Sequence, residues 1–566
     1  MNWLDWLVLL GTLAFIAIYG ILKTRGQKDL GGYFKGTKTM PWWTIGLSVM
    51  ATQASAITFM STPGQAFEDG MRFVQFYFGL PLAMVILCVT FLPKFIGLNV
   101  YTAYEFLENR FDRKTRTLAA LLFLVQRGLA AGITIYAPAI ILSTILNWDL
   151  NLTIILIGLV VIAYTVGGGS EAVNQTQKQQ MIVILVGMVI AFLVILNLLP
   201  KNVGFVDSLK IAGKMGRMNV VDFSFNLNDR YNFWSGITGG LFLALAYFGT
   251  DQSQVARYIS GSSLTESRLG LIFNGLVKIP MQFGILLCGV MVYVFYLFNP
   301  APIFFNESAY RQAENTIYLD SLQQQQQVYK QIQTEKSVAL AGLVSGIKNG
   351  NNQQTSASQA EMKSISAKED QLRDEVKQTI KKASPTAETK DTDYVFLTFV
   401  LNHMPHGIIG ILLAVIFCAA MSSTSSEINA LASTTVVDIF RWKENNKKTE
   451  AQLVLGSKWF TVLWGLLAIF FAIVSSLFDN LIEAVNILGS LFYGTILGIF
   501  LTAFYLKRIR GTAVFIGAII AESAVVFMFY HFDIGFLWYN LIGCALVMCI
   551  SIMLNPVIPD GSAKTV

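Results

Sequence analysis

The sequence predicts an all-α integral membrane protein. Its composition indicates a membrane protein: 54% of the 566 residues are hydrophobic, 13% are charged, and the mean hydropathy is +0.55. Apolar runs of about twenty residues, the length that crosses a bilayer as a helix, recur along nearly the whole chain. A soluble protein of this size would instead fold into domains joined by polar linkers.

The apolar runs predict about thirteen membrane-spanning helices. From the N-terminus they cover residues 3–22, 41–60, 73–97, 117–145, 151–168, 180–199, 234–256, 270–298, 407–438, 457–478, 483–506, 511–530 and 534–555.

Basic residues occupy alternate connections between these spans. They lie in 23–38, 110–116, 441–448 and 507–510, whereas 68–72, 147–151 and 479–480 carry few. Because Lys and Arg remain on the cytoplasmic side, we expect an external N-terminus and a cytoplasmic C-terminus. We expect a multi-pass protein of the plasma membrane, of the bacterial inner-membrane type.

One long polar segment, 299–393, interrupts the apolar pattern and contains the run Gln323–Gln327. The predicted orientation places it outside the cell. Stretches such as 318–347 favour helix, but apolar residues are too sparse to predict a substantial core. We interpret the insert as a solvated cap or loop, with partner binding as the alternative.

Two spans carry polar and glycine residues that favour a broken helix. The second contains Ala51–Thr58 followed by Ser61–Gly64, and the seventh contains Tyr247–Ser253. Such segments are suited to an unwound backbone that lines a polar cavity. The two spans are five helices apart, so two five-helix units starting at them would have opposite topology, a pattern typical of transporters. Close helix packing through small residues is the alternative explanation.

The ninth span places Ala419, Ser422, Ser423 and Ser426 on one helix face. Hydroxyls and carbonyls are neutral oxygen ligands that suit a hard cation. A carbonyl freed by unwinding at Ala51 or Ala54 would complete the ligand shell. The alternative is that the serines bond back to carbonyls of their own helix.

Three motifs resemble the sodium:solute symporter family, which includes the sodium/glucose, sodium/multivitamin, iodide and sialic-acid cotransporters. Residues 102–111, TAYEFLENRF, are similar to the family's EYLxxRF, and Thr250–Gln252 with Val255–Tyr258 are similar to its TDQ…VQRYL. Ala419–Ser423, followed by Asn429 and Val437–Ile439, are similar to its sodium-site helix. The resemblance covers residues 1–510 apart from the insert.

The resemblance implies a LeuT-type, five-plus-five inverted-repeat fold. The expected units are an extra N-terminal helix with its basic loop (1–40), a first repeat (41–200), an external loop (201–233) and a second repeat (234–298 and 394–510). The remaining units are the external insert (299–393) and C-terminal helices with a short tail (511–566).

The resemblance also implies ligands. Sodium would be bound by the carbonyls of Ala51, Ala54 and Ala419 and the hydroxyls of Ser422 and Ser423. Positions that would contact the solute are Gln53, Ser55, Thr58, Gln75, Tyr247, Phe248, Lys278 and Asn486. Gln177 stands where many members carry an aspartate linked to sodium exit or to a second sodium, which favours a single sodium. Gln75–Tyr77 stand where glucose-type members carry a glutamate, which argues against hexose recognition.

Arg127 lies near the middle of the fourth span, and Asp251, Glu427 and Glu522 are acidic residues in other spans. Intramembrane ionisable residues are candidate functional groups. A guanidinium fits a carboxylate, so we predict a sugar acid or monocarboxylate as solute, with a neutral sugar or polyol as the alternative. An internal ion pair is the structural alternative for Arg127.

We therefore predict a sodium-coupled symporter that imports a small organic solute by alternating access. An enzyme is not expected, because only three histidines occur and no hydrolase, metalloprotease or phosphate-loop motif stands in a convincing context. Neither an organic cofactor nor a nucleic-acid partner is indicated. A solute sensor acting through a partner is a lower-ranked alternative, and the sequence leaves the oligomeric state open.

Overall fold

The computed structural model describes residues 1–24, 40–98, 100–146, 148–385, 387, 389, 391–440, 449–474 and 481–558. Regular secondary structure in these residues is helical, with one isolated bridge between Met40 and Gly261. Within this described part, nine helices are long and apolar enough to cross a membrane, and three shorter helical stretches are apolar. The predicted all-α membrane fold is confirmed, while the exact number of spans stays a prediction.

The helices of the first half are α1 (Trp3–Thr24), α2 (Trp42–Gln53), α3 (Ala56–Asp69), α4 (Leu80–Ile86), α5 (Leu92–Gly97), α6 (Glu105–Arg110), α7 (Arg113–Leu146), α8 (Leu150–Leu198), α9 (Phe205–Lys214), α10 (Gly240–Thr250), α11 (Gln252–Tyr258) and α12 (Leu264–Phe298). Those that follow are α13 (Glu307–Glu314), α14 (Leu319–Lys348), α15 (Asn352–Ala383), α16 (Val395–His403), α17 (Ile408–Thr434), α18 (Glu450–Val474), α19 (Leu481–Tyr505), α20 (Gly511–His531) and α21 (Leu537–Leu554).

The fifth and sixth predicted spans, 151–168 and 180–199, fall within the single helical element α8. Its two parts pack on different helices: Gly158 lies against Ile469 of α18, and Gly187 lies against Val415 of α17. The apolar pattern located both stretches, but the connection between them is helical in the structure.

The second predicted span is broken between α2 and α3, at Ala54 and Ser55. In a continuous helix the Ser55 amide would bond to the Ala51 carbonyl one turn earlier. It bonds instead to the Gln53 carbonyl at 3.1 Å, while Ala54 adopts φ −85° and ψ 79°. The break therefore leaves the Ala51 carbonyl without its usual helical partner.

The seventh predicted span is broken at Asp251, between α10 and α11. Asp251 has φ −78° and ψ 118°, and its side chain accepts from the Ser253 amide at 2.8 Å. The Tyr104 hydroxyl donates to the Thr250 carbonyl at 2.8 Å, which compensates for the helical bond lost there. Both breaks lie within the segments that the sequence predicted to be unwound.

The insert and several connections lie together at one end of the helix bundle. Thr392 bonds to Glu68 at 2.7 Å, the Leu481 amide bonds to Asp393 at 3.3 Å, and the Gln359 amide bonds to the Lys214 carbonyl at 2.6 Å. These contacts join the insert to connections that the charge pattern placed on the same side.

The opposite end carries the basic connections 110–116 and 507–510. Arg116 pairs with Asp438 at 2.9 Å, and Arg110 donates to the Lys507 carbonyl at 2.7 Å. The basic segments 25–39 and 441–448 lie outside the described residues, as does 475–480.

The insert is a helical hairpin of α14 and α15 with an apolar seam, which corrects the expectation that it lacks a substantial core. Positions 355, 358, 362, 365, 369, 372, 376 and 380 of α15 are buried, at spacings of three or four residues. Glu369 in this seam pairs with Lys336 at 2.6 Å. Although burial raises the pKa of Glu369, the charges of Lys336 and Arg373 hold it below its usual value.

Candidate functional site

A cavity of about 110 Å³ lies between the two helix breaks. Its walls come from α2, α3, α4, α7, α10, α17 and α19, together with the turn before α4. Seven of the nine predicted solute-contacting residues line it: Gln53, Ser55, Thr58, Arg127, Tyr247, Phe248 and Asn486. Their role in binding stays a prediction, but the fold brings them together.

Gln75 lies outside the cavity lining. Its Nε2 donates to the Tyr231 carbonyl at 3.0 Å, and its Oε1 accepts from the Asp222 amide at 2.9 Å. The side chain thus holds the connection between α9 and α10 against the bundle.

Lys278 on α12 also lies outside the lining and is fully buried. Its Nζ is 5.7 Å from the centroid of the Tyr77 ring, and Tyr77 itself lines the cavity. Among the described residues this Nζ has no hydrogen-bond partner. Lys278 therefore stands behind the cavity wall, separated from the space by an aromatic ring.

Four of the five predicted sodium ligands meet where the α2 break contacts α17, namely Ala51, Ala419, Ser422 and Ser423. The fifth, Ala54, lies in the break itself. The Ser422 Oγ lies 3.1 Å from the Ala51 carbonyl oxygen and 3.0 Å from that of Ala419, and the Ser423 Oγ donates to Ala419 at 2.8 Å. All five residues are buried. Rotation of the two hydroxyls would free their oxygens for a cation, so the donor set fits a hard monovalent ion of the sodium type.

Gln177 joins this group to α8. Its Nε2 donates to the Ser426 hydroxyl at 2.7 Å, the Thr52 hydroxyl at 3.0 Å and the Ser422 carbonyl at 3.2 Å. Its Oε1 accepts from the Ser48 hydroxyl at 2.5 Å. One neutral amide therefore connects α2, α8 and α17 beside the predicted sodium ligands. It stands at the position where the resemblance implies an aspartate in many family members.

Arg127 lies in an ionic cluster at one end of the cavity. Its Nε donates to Asp251 at 2.9 Å, its Nη1 to Glu427 at 3.1 Å, and its Nη2 to Asp251 and to the Tyr493 hydroxyl. The guanidinium also lies 5.3 Å from the Tyr247 ring centroid. The internal ion pair, which the sequence left as an alternative, is formed, and the second break is attached to α7 through it.

The predicted set of solute-contacting residues omits several lining residues, among them Thr52, Phe76, Gln126, Glu427 and Tyr493, although the sequence names Glu427 as an ionisable candidate. A signal for two of them existed. Glu427 follows Ser423 by four residues and Tyr493 follows Asn486 by seven, spacings that share a helix face with a predicted site residue.

A family model described as the sodium:solute symporter family matches residues 33–345 and 377–521. The chain belongs to the sodium:solute symporter family. It is accordingly a sodium-coupled, multi-pass membrane symporter and not an enzyme.

Individual relatives agree with this membership. The human sodium/iodide cotransporter is 31% identical over 50% of this chain and 43% of its own length. A sodium/sialic acid symporter of Aliivibrio fischeri is 24% identical over 99% of this chain and 94% of its own length. The substrate-bound, outward-open structure of a Na⁺-coupled sialic acid symporter superposes with a TM-score of 0.77 at 24% identity, covering 99% of both chains. That likeness shows the shared fold.

Replacing Gln177 by Leu is expected to lower the free energy of unfolding by about 2–4 kcal/mol, because buried hydroxyls of two helices, α2 and α17, lose a hydrogen-bond partner. Thermal unfolding of the purified symporter in detergent measures it. Gln179→Leu is the matched control, since the Oε1 of Gln179 has no partner in the described chain. Equal melting temperatures for the two variants would contradict the role given to Gln177.

Proposed function

We propose that this symporter imports one sodium ion together with a small organic acid, and that the break between α2 and α3 binds both. Sodium lies at the carbonyl end of α2 against Ser422 and Ser423 of α17. The solute carboxylate lies at the amide end of α3. The observation that carries the proposal is the opening of this break into the cavity at Gln53 and Ser55.

The carbonyl end of α2 suits a cation for two reasons. A helix C-terminus carries a partial negative charge, and the break redirects the Ser55 amide from the Ala51 carbonyl to that of Gln53. The Ser422 hydroxyl already donates to the Ala51 carbonyl and so joins it to α17. A sodium ion bound between the two helices would fix their relative position, which is how ion binding can influence the conformational equilibrium.

The amide end of α3 suits an anion. A helix N-terminus offers free amides and a partial positive charge, and α3 begins with Ala56, between the lining residues Ser55 and Ile57. The Ser55 hydroxyl makes no capping bond to these amides. The Thr58 amide is bonded to the Ser55 carbonyl at 2.9 Å, which leaves the amides of Ala56 and Ile57 for a ligand. The hydroxyls of Ser55 and Thr58, which both line the cavity, would add donors.

In this proposal Arg127 stabilises the fold and does not bind the solute carboxylate. Its Nε and Nη2 are bonded to Asp251 and its Nη1 to Glu427. The rest of the solute would contact Gln53, Tyr247 and Asn486. Sialic acid, named for the Aliivibrio fischeri relative, has the carboxylate and hydroxyls that such a site would accept.

A neutral sugar or polyol is the second candidate. The pairing of Arg127 with two carboxylates favours it, because the guanidinium has few N–H groups left for an anionic solute. Gln53, Ser55, Thr58 and Asn486 are uncharged hydrogen-bonding groups that suit hydroxyls.

We also place the symporter in the plasma membrane with the N-terminus and the insert outside and the C-terminus in the cytoplasm. The basic connections at the opposite end of the bundle support this orientation. The two repeats would be 41–200 and 234–298 with 394–510, each beginning at a broken span.

Uptake into proteoliposomes tests the function. With an inward sodium gradient, labelled sialic acid or a monocarboxylate is expected to accumulate, and the same solute converted to its amide is expected not to compete. An outward-directed or absent gradient is the control. Uptake that does not depend on sodium would contradict symport, whereas competition by neutral sugars alone would favour the second candidate.

A separate prediction tests the proposed sodium ligands. Ser423→Ala is expected to raise the sodium concentration for half-maximal uptake by about tenfold, because one buried oxygen ligand is lost. Ser433→Ala on the same helix is the control, since its hydroxyl bonds to the Ala430 carbonyl at 2.9 Å, away from the site. An unchanged sodium dependence in Ser423→Ala would contradict the assignment.

A further inference from the structure

Glu427 on α17 is a buried carboxylate that lies between the cavity proposed for the solute and the residues proposed to bind sodium. It lines the cavity and is 4% exposed. It follows Ser423 by four residues, and side chains at this spacing are neighbours on one helix face, with Cβ atoms about 5–6 Å apart. The carboxylate is therefore adjacent to the proposed sodium site without belonging to its ligand shell.

The two oxygens of Glu427 differ in their contacts. Oε1 accepts from Arg127 Nη1 at 3.1 Å, and Oε2 has no partner at hydrogen-bond distance in the described part of the chain. The Thr134 hydroxyl, which lies beside this carboxylate, donates to the Ala130 carbonyl at 3.1 Å. Asp251 is better satisfied: one oxygen accepts from Arg127 and from Tyr493 at 2.7 Å, and the other from the Ser253 amide and hydroxyl. The unsatisfied negative charge of this cluster thus lies on Glu427.

With both carboxylates ionised, the cluster of one guanidinium and two carboxylates has one excess negative charge. The rings of Tyr247 and Tyr493 beside it are neutral, and Lys278 stands behind Tyr77. An uncompensated buried charge is unfavourable in a low-dielectric interior. A cation bound nearby would compensate this charge, and the five proposed sodium ligands bring only neutral oxygens.

We propose that the Glu427 carboxylate is the counter-charge of the co-transported sodium ion. The proposal rests on the sodium site given above. Opposite charges this close attract appreciably even at the effective dielectric of a protein. Glu427 would thus raise sodium affinity through space, as a positioning residue and not as a ligand.

An order of binding follows from this charge. Without sodium, the negative cluster at the cavity repels an anionic solute. Bound sodium neutralises the excess charge and removes the repulsion. Sodium therefore binds before the solute, and its occupancy raises the affinity for an acid, which is a coupling between two sites in the thermodynamic sense.

Stabilisation of the purified symporter by sodium alone tests the proposal without knowledge of the solute. Melting temperature is measured against NaCl concentration, with choline chloride keeping the ionic strength constant. Glu427→Gln removes the charge but keeps an acceptor for Arg127, and it is expected to raise the half-saturating sodium concentration by about tenfold or more. Glu522→Gln changes a carboxylate on α20 whose oxygens are also buried but which lies outside the cavity lining, and it is expected to match the wild type.

A half-saturating concentration in Glu427→Gln equal to that of the wild type would overturn the proposal. Glu427→Asp keeps the charge, and its half-saturating sodium concentration is expected to stay within about threefold of the wild type. A rise of about tenfold in this variant would also overturn the proposal. If Glu427→Gln does not fold, the result for Glu427→Asp decides between the outcomes. If wild type shows no sodium-specific stabilisation, the sodium site itself fails, which is a separate outcome.

Discussion

The interruption of one helix at Ala54 and Ser55 is the constraint on which the site depends. A continuous helix uses its own carbonyls and amides, whereas a break exposes a carbonyl end and an amide end a few ångströms apart. Here the carbonyl end contacts the serine helix through Ala51 and Ser422, and the amide end opens to the cavity. A cation and an anion can thus be bound by adjacent, oppositely polarised ends of the same broken helix.

Two buried side chains fix the position of this break relative to the neighbouring helices. Gln177 connects α2, α8 and α17 with a neutral amide, and Arg127 connects α7 to the second break at Asp251 and to Glu427 on α17. The first stabilises the ion side without adding charge. With both carboxylates ionised, the second leaves one negative charge uncompensated. In the proposed mechanism this charge favours the binding of sodium before an acidic solute.

Much of this arrangement could be predicted from the sequence, because its signals are local. Hydroxyl, small and glycine residues within apolar spans located both breaks, and helical spacing located the Ser422 face. The sequence names Asp251 and Glu427 as acidic candidates and an internal ion pair as one role for Arg127. It could not show which groups meet the guanidinium, since Asp251, Glu427 and Tyr493 are 124, 300 and 366 residues away along the chain. The seam of the insert was missed because polar residues such as Thr355 and Glu369 occupy its buried positions.

A cryo-electron microscopy structure of the symporter in sodium, paired with one in potassium, tests the central claim most directly. The account predicts sodium-dependent density between the carbonyls of Ala51, Ala54 and Ala419 and the hydroxyls of Ser422 and Ser423. It also predicts that the Ser422 hydroxyl no longer donates to Ala51. Sodium density elsewhere, with the bond from Ser422 to Ala51 intact, would contradict it.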